Sequence, residues 1–184
     1  TASCVDLDGS AEYIRFATAP QTVMRASHTW SAWIRTDDGQ GTDQGIVGFQ
    51  DETGDDSKSL LQVDSTGRLE YIYESEGTDK KALSNAVNFT NGENAWAHVV
   101  ATMSYTDSSN AVMKLYLNGE ELELDSSDNG AFGGNMGSFT VDNAYPMAIG
   151  AYNNADTIQR YFNGKIRDVR LYESALTEAQ VSAL

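Results

Sequence analysis

Short strand-like segments recur along the chain with turn residues between them, and no long stretch keeps a helical period. Spacing of this kind is typical of an all-β sandwich or barrel, in which many short strands are joined by turns. The pattern predicts strands over residues 12–16, 29–35, 45–49, 59–63, 68–74, 96–103, 112–117, 120–124, 146–150 and 165–172.

The strongest local signal is a hairpin over residues 112–124, where two strand-like runs flank Asn118 and Gly119. Asn-Gly accepts positive φ at both central positions of a type I′ turn, and the twist of that turn matches the twist of its strands. We therefore predict a tight hairpin at this point of the chain.

Alternation within the predicted strands indicates how their faces are used. Successive side chains of a strand point to opposite faces, so Trp30 and Trp33 in residues 30–35 face opposite ways. A large aromatic side chain on each face is expected of a central strand. The same alternation places the two tyrosines of residues 69–74 on one face and the two glutamates on the other.

Only the end of the chain looks helical. Thr177 and Gln180 fit a capping box, in which each residue's side chain bonds the other's backbone N–H. This predicts one short C-terminal helix with Val181 and Leu184 on a shared face. Because no repeat or linker-like segment interrupts the chain, we predict a single domain over residues 1–184.

The charge balance limits the classes of partner. The chain has 12 basic and 27 acidic side chains, for a net charge of −15 and a pI near 4.3. Nucleic-acid binding needs basic side chains to neutralise phosphates, so we expect no nucleic-acid partner. An anionic membrane surface is an equally poor partner. The apolar runs are too short to span a bilayer, so no membrane insertion is expected.

The single cysteine, Cys4, excludes an internal disulfide and every multi-cysteine zinc motif. It lies in an apolar-polar alternation beside Asp6, which is the opposite of the electropositive setting of a reactive thiol. We expect a buried structural thiol. The N-terminus does not resemble a signal peptide, and the chain begins at Thr1, so we expect a mature form or a module of a larger protein.

Four segments, read in order, resemble the laminin-G-like family of concanavalin A-like jelly rolls. They are LDGSAEYI at residues 7–14, TWSAWIR at 29–35, WAHVVAT at 96–102 followed by MKLYLNG at 113–119, and YFNGKIRDVRLYESALT at 161–177. The resemblance implies an all-β, two-sheet antiparallel β-sandwich, to which the residues add one short C-terminal helix. It also implies a carbohydrate-binding or adhesive module of a secreted, cell-surface or virion protein.

Catalysis has one candidate motif. The related laminarinase-type glycoside hydrolases carry two glutamates and a central aspartate on one strand face, and Glu70, Ile72 and Glu74 occupy a similar pattern here. On a straight strand the Cα atoms of the two glutamates lie roughly 13 Å apart. Ile72 stands in the place of the central aspartate and cannot tune either carboxyl group. We expect two solvated glutamates on a sheet face and no catalytic residues.

Calcium is the cofactor that the resemblance implies, because related jelly rolls hold a structural Ca²⁺ between the N-terminal segment and the C-terminal strand. Asp168 falls where the aspartate ligand of that site would lie, and Asp8 is its expected partner. The alternative is that Asp168 forms a surface ion pair with Arg167 or Arg170. Residues 51–56 are also rich in carboxylates, and a second site there would use Asp51 and Asp55.

Sugar binding usually combines an aromatic ring with Asn or Asp side chains that hydrogen-bond hydroxyl groups. Tyr152, Asn153, Asn154 and Asp156 have that composition in a predicted loop, and Tyr105 is a weaker candidate. The same residues also suit a plain turn.

These observations favour a non-catalytic binding or adhesion module that recognises a carbohydrate and is stabilised by calcium. One alternative is a structural or decoration domain that packs against a protein partner in a larger surface or virion assembly. A laminarinase-type glycoside hydrolase is the remaining alternative. The expected location is extracellular, on a cell surface or on a virion surface.

Overall fold

A computed structural model describes residues 3–17, 20–51, 57–75, 78–92, 95–107, 110–133 and 146–184. Within these ranges the chain forms sixteen strands and two short helices. In chain order they are β1 (Val5–Asp8), β2 (Ile14–Arg15), α1 (Gln21–Met24), β3 (His28–Thr36), β4 (Gln44–Asp51), β5 (Ser57–Val63), β6 (Leu69–Ser75), β7 (Thr78–Ser84), β8 (Ala97–Asp107), β9 (Asn110–Leu117), β10 (Glu120–Glu121), β11 (Leu124–Asn129), β12 (Ala131–Gly133), β13 (Ala148–Ile149), β14 (Tyr152–Asn154), β15 (Thr157–Gln159), β16 (Asn163–Tyr172) and α2 (Glu178–Val181).

The described strands form two sheets. One has seven strands in the order β1-β16-β3-β8-β9-β10, with β12 also paired to β9, and all its ladders are antiparallel. The other has nine strands in the order β11-β7-β6-β5-β4-β13-β2, with the β14–β15 hairpin joined to β4. The β14–β4 pair is parallel, whereas the other described pairs of this sheet are antiparallel.

The core lies between the two sheets, as the strand alternation predicts. Trp30 and Ile34 of β3 face it from the seven-stranded sheet, and Phe49, Tyr71 and Tyr73 face it from the nine-stranded sheet. Removing such large apolar surfaces from water is the main favourable contribution to folding. The predicted all-β, two-sheet sandwich is confirmed, and so is its short C-terminal helix.

The Asn118-Gly119 hairpin is also confirmed. Both residues have positive φ, 52° and 87°, and β9 and β10 pair across them. The single predicted strand over residues 120–124 is divided, because Glu120–Glu121 pairs with β9 whereas β11 begins at Leu124 and pairs with β7 of the other sheet.

Helix α1 and strand β7 are among the elements that the sequence pattern does not predict. Helix α1 has only four residues, too few to show a helical period. Strand β7 is rich in charged residues, which strand preferences disfavour. It is stabilised by cross-strand ion pairs, in which Lys81 lies 3.4 Å from Glu70 of β6 and Asp79 lies 2.9 Å from Lys58 of β5.

The prediction of a buried Cys4 is wrong, since this free thiol is exposed. Leu7 of β1 is buried and Val5 packs against the core, so the alternation places these two side chains inward. Cys4 and Asp6 therefore lie on the opposite side of the strand.

Helix α2 covers part of the outer face of the seven-stranded sheet. The Thr177 N–H donates to Gln180 Oε1 at 2.9 Å and the Gln180 N–H donates to Thr177 Oγ1 at 3.4 Å, which forms the predicted capping box. Val181 is buried against Val100 and Tyr116. Leu184 is exposed, so the predicted shared face buries only Val181.

Candidate functional site

The predicted sugar-binding loop is a hairpin. Tyr152–Asn154 forms β14, which pairs with β15, so the prediction of a loop is wrong for these three residues. Ala155 and Asp156 make the turn between the strands, and both have positive φ, 45° and 69°, as a type I′ turn requires. Asp156 is exposed and lies 2.8 Å from Arg15 in an ion pair. The plain-turn alternative therefore describes residues 155 and 156.

Two of the predicted sugar ligands support the fold instead. Asn153 is fully buried, and its Nδ2 donates to the carbonyl oxygen of Pro146 at 2.6 Å. The hydroxyl of Tyr105 lies 2.9 Å from that of Tyr73, on the core side of the nine-stranded sheet. Asn153 is therefore not presented on the surface as a sugar ligand would need to be, and Tyr105 is half-buried.

Tyr152 lies on the outer face of the nine-stranded sheet, which is the face turned away from the core. Its ring packs with Leu60 and Ile72 in a small apolar cluster and is only 3% exposed. Its hydroxyl donates to Gln50 Oε1. The guanidinium of Arg160, which follows β15, lies over the ring at 5.3 Å from its centroid. The predicted aromatic residue therefore acts as a support for an arginine.

Arg160 belongs to a chain of polar contacts across the outer face. Its Nη1 donates to Gln62 Oε1 at 2.6 Å, and Gln62 Nε2 donates to Glu70 Oε2. Glu70 in turn lies 3.4 Å from Lys81. The same Nη1 atom of Arg160 lies 3.7 Å from Asp43 Oδ2. These contacts restrict the position of the guanidinium.

Glu70 and Glu74 share this outer face but are not solvated, which corrects the sequence-based expectation. They are only 5% and 7% exposed, and Lys58 lies 3.0 Å from Glu74. Burial raises the pKa of Glu74, although Lys58 opposes the shift. Ile72 lies between the two glutamates and belongs to the apolar cluster. Each carboxylate lies beside its own lysine, Lys81 for Glu70 and Lys58 for Glu74.

An open, polar cleft adjoins the chain of contacts at Arg160. It has a volume of about 530 Å³ and is lined by Gly9, Thr42, Asp43, Ser65, Gln159, Arg160 and Tyr161. We call it the Arg160 cleft. Asp43 is fixed as well, since its Oδ1 accepts the Ser65 N–H at 2.9 Å. The ring centroid of Tyr161, at the rim of the cleft, lies 6.2 Å from the ring centroid of Tyr13, and this contact restricts the Tyr161 ring.

Sequence reasoning misses this cleft because its lining comes from four separate parts of the chain. Arg160 has a φ of 54°, an uncommon conformation for a residue with a Cβ atom, and its carbonyl oxygen accepts the Gly45 N–H at 2.7 Å. No local pattern in the sequence marks that conformation. The sequence contains one indirect signal of the cleft, which is the predicted sugar-binding motif with Tyr152 a few residues before Arg160.

The family is established by a sequence model described as the concanavalin A-like lectin/glucanases superfamily, which matches residues 8–182. The chain belongs to this superfamily. A relative with 28% identity over 168 residues is the adhesion G-protein coupled receptor V1 of Danio rerio. The match covers 86% of this chain and 2% of the receptor, so the chain spans a small fraction of that relative.

Several solved structures share the fold of this chain. The CBM40 of Ruminococcus gnavus IT-sialidase, solved with α2,3 sialyllactose bound, has a TM-score of 0.71 at 14% identity, covering 98% of this chain and 95% of that one. The SAP-like pentraxin from Limulus polyphemus has a TM-score of 0.60 at 18% identity, covering 96% and 78%. None of the helices in the described ranges is long and apolar enough to cross a membrane.

The residues of this superfamily member do not fit the implied calcium site between its first and last strands. Asp8 pairs with Asn163, whereas Asp168 lies five residues further along β16, so the Cα atoms of the two aspartates lie roughly 16 Å apart along the strand. Asp168 instead forms a two-pronged ion pair with Arg170, at 2.8 and 2.7 Å. The alternative, a surface ion pair of Asp168 with an arginine, is therefore confirmed for Arg170. Asp8 Oδ1 accepts the Ser10 N–H at 2.9 Å, which lowers the pKa of Asp8.

The second predicted calcium site lies largely outside the described residues. This applies to Asp55 and to the side chain of Asp51, so a role for either in metal binding stays a prediction. Within the described ranges, no three His, Cys, Asp or Glu side chains are grouped closely enough to hold a metal ion.

Proposed function

We propose that the domain is a non-catalytic carbohydrate-binding module whose ligand occupies the Arg160 cleft. The observation that carries this proposal is the fixed position of Arg160 at the cleft, between Tyr152, Gln62 and Asp43. Immobile donors and acceptors lose little entropy when they bind a hydroxyl-rich ligand, so they favour affinity.

The chemistry of the lining suits sugar hydroxyl groups. Asp43 offers carboxylate acceptors, Arg160 offers guanidinium donors, and Gln159 offers both within a volume of about 530 Å³. Small-ligand sites have volumes in this range and combine a few fixed polar groups with apolar walls. The Tyr161 ring supplies such a wall at the rim.

Binding without catalysis is favoured by the state of the two outer-face glutamates. A glycosidase needs one carboxyl group free to transfer a proton and a second free to act as base or nucleophile. Glu70 is held by Gln62 and Lys81, and Glu74 is held by Lys58. A buried isoleucine separates them, which leaves no polar group to couple the pair.

The relatives support the same proposal. The CBM40 with the shared fold is bound to a sialylated sugar, and the receptor that resembles this chain is an adhesion receptor. We extend both properties to this chain as a proposal, with an extracellular or surface location.

Replacing Arg160 with Ala should weaken glycan binding about 10- to 100-fold, because hydrogen bonds to a charged group contribute about 1.5–3 kcal/mol. A glycan array should identify a ligand, and isothermal titration should then compare the wild type with the variant. Arg15→Ala is a matched control, since it removes an exposed arginine paired with Asp156 outside the cleft. Melting temperatures check that both variants fold.

Two outcomes would contradict the proposal. One is the absence of binding across a broad set of polysaccharides. The other is equal affinity of the wild type and the Arg160→Ala protein for a glycan that the array identifies.

We also propose that calcium stabilises the domain through residues 51–56. A ligand that binds only the folded state raises the melting temperature by mass action, so EDTA should lower it and added calcium should restore it. Asp55→Ala should abolish that response, whereas Asp168→Ala, which removes a surface ion pair, should retain it. No response of the wild-type protein to EDTA would rule out calcium.

A further inference from the structure

Arg167 lies over the rings of two tryptophans on the outer face of the seven-stranded sheet. Its guanidinium carbon is 4.4 Å from the ring centroid of Trp96 and 5.2 Å from that of Trp33. Trp33 also stacks on His98, with ring centroids 5.0 Å apart and an interplanar angle of 25°. Arg167, Trp33 and His98 are directly opposite one another on β16, β3 and β8, so the sheet register fixes this arrangement.

The charge of Arg167 is not compensated by a protein carboxylate within the described residues, although acidic side chains outnumber basic ones by 27 to 12. Its basic neighbours on this face differ from it, because each has an acidic partner. These ion pairs are Arg35–Asp37, Lys165–Asp6 and Arg170–Asp168.

Two buried nitrogen donors on this face lack a hydrogen-bond partner. They are the Nε atoms of Arg167 and Arg35. Arg35 is opposite Lys165, two residues from Arg167, and such diagonal neighbours lie roughly 7–8 Å apart. Buried polar groups in folded proteins are nearly always satisfied, so two adjacent orphan donors indicate a missing acceptor.

The space beside Arg167 is large enough for a ligand. A recess of about 440 Å³ is lined by Ser3, Trp33, Arg167 and Asp168. It belongs to the seven-stranded sheet, whereas the Arg160 cleft adjoins the nine-stranded sheet on the other side of the core. A ligand in the recess would therefore not compete with one in the cleft.

We propose that this recess binds the carboxylate of a sugar acid through Arg167. The guanidinium carbon of Arg167 lies over two indole rings, and the N–H groups of a guanidinium form a planar fork that matches a planar carboxylate. The indole rings provide apolar walls for the carbon skeleton of the sugar. Asp168, which also lines the recess, is paired with Arg170, and acidic groups farther away are screened beyond about 8 Å at physiological ionic strength.

The test uses trigalacturonic acid and its fully methyl-esterified form, which share one skeleton and differ in charge. Binding is followed by tryptophan fluorescence, since Trp33 and Trp96 flank Arg167. The acid should bind at least tenfold more tightly than the ester. Arg167→Lys keeps the positive charge but loses the planar fork, and it should weaken binding of the acid at least tenfold. Arg68→Lys, at the residue just before β6, is the matched control and should bind like the wild type.

Arg160→Ala separates this inference from the proposed function. Retention of trigalacturonate binding in that variant, together with its loss in Arg167→Lys, supports a second site. Equal affinity for acid and ester, or unchanged binding in Arg167→Lys, would overturn it. Binding of hexaglutamate at Arg167 without binding of trigalacturonate would also overturn it, in favour of an acidic protein segment.

Discussion

Replacing Gly164 with Ala should destabilise the domain by roughly 4 kcal/mol, near the upper end of single-residue effects. Gly164 lies in β16, paired with Leu7 of β1 and Thr36 of β3. Its φ of 140° is strained for any residue with a Cβ atom, and an added Cβ would overlap the carbonyl oxygen of Arg35. Because that oxygen belongs to a neighbouring strand, the clash can be relieved only by moving one strand away from another.

Gly41→Ala is the matched control for this change. Gly41 also has a positive φ, 111°, but an added Cβ there meets no atom within 4 Å. This variant should lose only about 1 kcal/mol, the cost of the backbone conformation alone. Urea unfolding of the two variants and the wild type measures the difference. Equal destabilisation by both substitutions would show that the overlap with Arg35 does not carry the effect.

The strand faces and the tight hairpin could be predicted because both depend on local chemistry. Alternation alone places Trp30 and Trp33 on opposite faces, of which the structure buries the Trp30 face, and Asn118-Gly119 accepts the φ values of its turn. Strand β7 could not be predicted, because its charged side chains are stabilised by partners on β5 and β6 that are distant in sequence.

The candidate sites depend on register and on distant contacts, which the sequence pattern does not contain. The expected pairing of Asp8 with Asp168 assumes that β1 and β16 are neighbours, and they are. Their register, however, places Asp8 opposite Asn163. A shift of five residues would be needed to bring Asp8 opposite Asp168. Arg160 and Arg167 are equally inconspicuous in sequence. Each becomes notable only through the aromatic rings under its guanidinium. Tyr152 of β14 supplies the ring for Arg160, and Trp33 of β3 and Trp96 supply the rings for Arg167.

Lowering the pH from 7.5 to 4.5 should cost roughly 2–3 kcal/mol of stability through His28 alone. This ring is fully buried at the start of β3, where Nδ1 donates to the Ala26 carbonyl oxygen and Nε2 accepts from the Tyr71 hydroxyl, both at 2.7 Å. Burial lowers the pKa of His28 from 6.5 to about 4. Between these values the unfolded chain takes up a proton that the folded protein does not, so stability falls as the pH falls.

Carboxylates also titrate in this range, so the measurement compares wild type with His28→Gln by urea unfolding at several pH values. The variant should be less stable at pH 7.5, because it loses buried contacts, and the gap should shrink by roughly 2–3 kcal/mol at pH 4.5. Parallel stability curves would contradict this. If the variant does not fold, NMR titration of wild-type His28 gives the same information. A pKa near 6.5 would mean that the ring is free to take up its proton, whereas a value near 4 accounts for the loss of stability in acid.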